Sequence, residues 1–63
     1  MRTFITQDLT KQVSEREQDV ANLLLASVLA NDTVKVERML LTNRTITSLI
    51  VRGVLSVDHK IGG

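Results

Sequence analysis

Residues 38–55 read RMLLTNRTITSLIVRGVL, and how this stretch is read decides the fold. As a strand it would place Ile46, Ser48, Ile50 and Arg52 on one face and Thr45, Thr47, Leu49 and Val51 on the other. Both faces mix apolar and polar groups, so neither could be buried cleanly. At helical spacing, Ile46, Leu49, Ile50, Gly53, Val54 and Val57 form one continuous apolar stripe, with Thr47, Ser48, Val51, Arg52 and Ser56 largely opposite. The helical period fits better, even though Gly53 costs about 1 kcal/mol in a helix interior. The β-branched content lowers intrinsic helix propensity, so tertiary packing must hold such a helix in place.

The sequence upstream supplies two more helices. In SERE, Ser14 stands at an N-cap position and Glu17 at N3, the spacing of a capping box. Glu15, Glu17 and Asp19 sit where the helix dipole favours negative charge. A first helix is predicted from about residue 14 to residue 29. Asn31 or Asp32 then caps a second helix from Thr33, in which Val36, Met39 and Leu40 follow at i, i+3, i+4. Thr and Asn in LTNRT (41–45) favour a turn or cap before the third helix. The expected fold is all-α, a small three-helix domain of helix-turn-helix type. It spans residues 1–63 as one unit, with residues 1–13 as an arm (or, around Phe4 and Ile5, a short edge strand) and residues 58–63 as a flexible tail.

Composition narrows the functional classes. Sixty-three residues with one aromatic, Phe4, must build a core from Leu, Val, Ile, Ala and Met. Chains of this size commonly need disulfides, a metal or a partner subunit. There is no cysteine and a single histidine, His59, so disulfides and thiolate metal sites are excluded and no metal or other cofactor is expected. A homo-oligomer is the remaining supplement. The first helix carries more apolar residues than one stripe accommodates, and Leu25, Val28 and Leu29 are the candidate interface. No segment has the roughly 20 apolar residues of a membrane span, and the first ten residues lack the apolar core of a secretory signal. A cytoplasmic protein is expected.

No catalytic constellation is recognisable, so an enzyme is not expected. The terminal Gly62-Gly63 reads as a chain end, because the helical pattern of residues 14–42 does not suit a diglycine-activated β-grasp carrier, and His59 reads as a solvated side chain. Base-stacking platforms for single strands need several exposed aromatics. The net charge of +1 gives no global field that would hold nucleic acid. What remains is a local patch. Thr42, Asn43, Arg44, Thr47, Ser48 and Arg52 offer hydroxyl, amide and guanidinium groups of the kinds that contact phosphates and base edges. No carboxylate lies among them, and Lys35 and Arg38 precede them on the second helix.

VSEREQDVANLL (13–24) resembles the opening of LuxR/GerE-type helix-turn-helix domains, with Val13, Ser14, Arg16, Glu17, Val20, Leu23 and Leu24 at the motif positions. LLTNRTITSLIVRGVL (40–55) resembles the start of that family's recognition helix, through Thr42, Thr45 and Ile46. The likeness covers residues 13–57 with a two-residue insertion, and nothing in the chain matches the family's fourth helix. It implies a transcription regulator that binds double-stranded DNA, with Asn43, Arg44, Thr47 and Ser48 facing the duplex. The other reading is a small homo-oligomeric helical adaptor or inhibitor, of the kind phages and plasmids encode. Such a protein would act by covering another protein, using the Leu23–Leu29 face or the Ile46–Val57 stripe.

Overall fold

The computed structural model describes residues 2–60, in the order β1 (Arg2–Gln7), α1 (Glu15–Leu29), α2 (Thr33–Thr42), α3 (Arg44–Val51) and β2 (Leu55–Lys60). Gly62-Gly63 and the side chain of His59 lie outside what is described. The three helices stand where the capping signals put them. Ser14 caps α1, and the Glu17 side chain returns to the Ser14 backbone N–H. Asp32 caps α2 by accepting from the Lys35 N–H.

Two corrections concern the ends of the chain. The protein is not all-α, because β1 and β2 pair as an antiparallel two-stranded sheet from Arg2↔Lys60 to Gln7↔Leu55 without a bulge. The predicted arm therefore includes a strand, and residues 58–60 of the predicted tail belong to β2. The apolar stripe also does not continue as helix to Val57. Gly53 adopts φ +78° just beyond α3, its N–H donates to the Ile50 carbonyl, and the Val54 N–H donates to that of Leu49. This is a Schellman termination, with Leu49 and Val54 both buried across it. Val54 keeps its place in the core by a reversal of the chain, and Leu55 and Val57 continue inward at the strand period.

Asn31, at φ 59°, ends α1 by the same device. The N–H groups of Asn31 and Asp32 donate to the Val28 and Ser27 carbonyls. Asp32 thus closes one helix with its backbone and opens the next with its carboxylate. Each element adds to one core: Ile5 from β1, Ala21 and Leu24 from α1, Val36 and Met39 from α2, Ile46 and Leu49 from α3, Leu55 from β2. Among the described residues Ser27 is the buried polar one, and its hydroxyl is satisfied by donating to the Leu23 carbonyl. Among the described residues, no helix is long and apolar enough to cross a membrane.

Candidate nucleic-acid interface

The polar side of α3 is the centre of the candidate site. Its inward face is fixed by Ile46 and Leu49, both fully buried, with Ile50 packed against them. That leaves Arg44, Thr47, Ser48 and Val51 exposed on the outer face. Arg44 and Ser48 are one turn apart, and Thr47 lies beside them. The helix has eight residues, a length of about 12 Å. Val51 is 81% exposed and makes the end of this face apolar.

The six residues singled out from sequence divide into two groups. Arg44, Thr47 and Ser48 come together on the open face. Thr47 donates to the Asn43 carbonyl at 3.3 Å, and its oxygen still has acceptor capacity. Asn43 is instead the hinge of the α2–α3 corner. It is the single residue between the two helices, half-buried, and its side-chain oxygen accepts from the N–H groups of Thr45 and Ile46 at 3.0 and 3.3 Å. Thr42 is exposed, but its hydroxyl donates to the Arg38 carbonyl at 2.7 Å, within its own helix.

Arg52 is directed away from that face. Its guanidinium donates to the Glu17 carboxylate and, at 3.3 Å, to the Gln12 carbonyl. Lys11 reaches across in return and donates to the Arg52 carbonyl at 3.1 Å, a cation at the carbonyl end of α3. These bonds tie the β1–α1 connection to the C-terminus of α3. The backbone hydrogen bond within the capping box, then Arg52, holds the Glu17 carboxyl below its ordinary value. The sequence signal for Glu17 pointed only to the cap. Its pairing with Arg52, 35 positions away, has no local signature.

Lys35 and Arg38 on α2 flank an open groove of about 460 Å³ between α1 and α2, whose apolar wall includes Leu23, Val34 and Met39. Among the described residues the one ion pair is Arg52–Glu17, so Lys35, Arg38 and Arg44 make no ion pair, and Asp32 is the carboxylate that lines the groove with Lys35 and Arg38. No Asp or Glu occurs from residue 38 to residue 57. No group of three or more His, Asp or Glu side chains suited to a metal occurs among the described residues.

The predicted oligomer residues also divide. Leu25 and Val28 are partly buried against the core, whereas Leu29 is 87% exposed. Comparison with family models, with curated proteins and with solved structures finds no match to this chain.

Proposed function

We propose that this protein is a small helix-turn-helix regulator that binds double-stranded DNA through the outer face of α3. The observation that carries the reading is that face itself: Arg44, Thr47 and Ser48 exposed together, in a chain segment without a carboxylate. An α-helix, about 10–12 Å across with its side chains, fits the roughly 12 Å width of the major groove. Arg44 would reach a base edge or a phosphate, the two hydroxyls would hydrogen-bond alongside it, and Lys35 and Arg38 would contact flanking phosphates. Arg52 drops out of the interface because its guanidinium is tied to Glu17 and the Gln12 carbonyl, and Asn43 serves chiefly as the cap of α3. Thr42, like Thr47, keeps acceptor capacity beside the open face. The resemblance of residues 13–57 to LuxR/GerE-type domains supports the same assignment of α3.

The test is fluorescence anisotropy of a labelled duplex titrated at several salt concentrations. Arg38→Ala combined with Arg44→Ala should weaken binding and lower the slope of log K against log salt by about 1 for each phosphate no longer neutralised. Arg52→Ala should leave duplex affinity unchanged in the folded protein. Absence of duplex binding at low salt, or full affinity in the Arg38/Arg44 double variant, would refute the reading.

A second reading, a protein-binding adaptor, is favoured by Leu41 and Val51, 84% and 81% exposed on the two helices that form the polar face. In that case, capture of a partner would survive nuclease treatment and be lost with Leu41→Ser or Val51→Ser.

A further inference from the structure

We infer that the free edge of β1 is a self-association surface, on which β1 of a second copy adds antiparallel to make a four-stranded sheet in the order β2–β1–β1–β2. The inference is independent of the DNA reading and starts from the backbone. The Asp8 N–H donates to the Val54 carbonyl at 2.8 Å, in register with the β1–β2 ladder. Antiparallel pairs alternate between hydrogen-bonded and non-hydrogen-bonded positions. Asp8, Thr6 and Phe4 therefore direct their backbone groups toward β2, and Gln7, Ile5 and Thr3 direct theirs toward the open edge. No backbone partner for that edge occurs among the described residues.

Natural sheet edges are commonly protected by a mid-strand charge, a proline or a bulge. β1 has none of these from Thr3 to Gln7, where it reads TFITQ. These are residues of high strand propensity, apart from the terminal Gln. The opposite edge differs, since β2 ends Asp58-His59-Lys60. A two-stranded sheet is also marginal by itself, and a 63-residue chain commonly gains stability from a partner.

The occupant and its register follow from symmetry. A two-fold axis through the edge makes the facing strands antiparallel, and the pleat requires opposed residues to share a face. Centring the axis on Ile5 pairs Thr3 with the second copy's Gln7 and Ile5 with its equivalent. Every outward backbone group from Thr3 to Gln7 is then used. Centring it on Phe4 leaves Gln7 beyond the paired part of β1. Because residues 3–7 are uncharged, no like charges are opposed. On the outer face, the chosen register sets Phe4 against Thr6 of the other copy at a non-hydrogen-bonded position, where side chains approach most closely. Phe4, the one aromatic residue, is 44% exposed in the single chain and gains cover there.

The experiment uses the full chain, in sedimentation velocity over a dilution series and in thiol cross-linking. The expected mass is that of a dimer at high concentration and of a monomer on dilution, with Thr6→Lys monomeric throughout and unchanged in circular dichroism. The protein has no cysteine, so introduced thiols report register. An oxidised mixture of Phe4→Cys and Thr6→Cys chains should form the mixed disulfide, while neither alone cross-links efficiently, since like positions lie too far apart. A monomer at every concentration overturns the proposal. So does a dimer that survives Thr6→Lys, or one in which the mixed pair fails to cross-link, because its interface would lie elsewhere.

Discussion

Gly53 ends α3 at φ +78°, and a Cβ built there would lie 2.8 Å from the Lys11 Nζ. The lysine tip can move aside, but the left-handed backbone conformation stays costly for a residue with a Cβ. Gly53→Ala should therefore lower stability by about 1–2 kcal/mol, read as a shift of the urea midpoint at unchanged m. The Gly in VRGV was legible as a cost to a longer helix. Its actual service is to stop the helix so that Val54 and Leu55 enter the core, both 1% exposed. Arg52, its neighbour, shows what composition leaves open. An arginine near a polar stretch reads as a nucleic-acid contact until the fold brings Glu17 and the Gln12 carbonyl to it.

Short elements depend on their ends, because the unpaired N–H groups of the first turn are a large fraction of a helix of eight or ten residues. Asn43 is the sharpest case. It closes α2 through its backbone N–H to the Met39 carbonyl and opens α3 with its side chain. Asn43→Ala should cost about 1 kcal/mol, whereas Asn43→Asp should retain most of the stability by keeping the acceptor. Thermal unfolding of the two variants measures this, and equal losses would remove the capping account. The caps at Ser14 and Asp32 were readable because each signal lies within four residues. The strands were harder to read. β1 was one of two readings for residues 2–7. In β2, LSVDHK has too few apolar residues to declare a period, and its pairing with β1 spans nearly the whole chain.

On the scale of the molecule, the sheet joins the two ends of the chain while the Lys11, Arg52 and Glu17 contacts tie the β1–α1 connection to α3. Two carboxyls are held below their ordinary values: Asp8 in the β1–α1 connection, chiefly by the Thr10 hydroxyl, and Glu17 in α1, by the Ser14 backbone and then Arg52. Such groups bind protons less readily folded than unfolded. Stability should thus be level above the ordinary carboxylate range, about pH 4, and fall as pH drops through it. Urea titrations between pH 7 and pH 3 would show this, and Glu17→Gln should flatten the profile. An unchanged profile in that variant would remove Glu17 from the account. The exposure of Leu29, Leu41 and Val51 also belongs to this scale, since it appears only once the helices have chosen which faces to bury.

The sequence by itself determined the three helices, the Ser14 capping box, the dependence on an aliphatic core and the acid-free segment that includes α3. Those features rest on interactions within a turn or two of the chain and on residue chemistry. Only the tertiary structure decided that the ends pair as a sheet, that Arg52 serves the fold, and that Arg44, Thr47 and Ser48 form the open polar face. These outcomes depend on partners dozens of residues apart, and the pattern of one segment carries no record of which distant group will meet it.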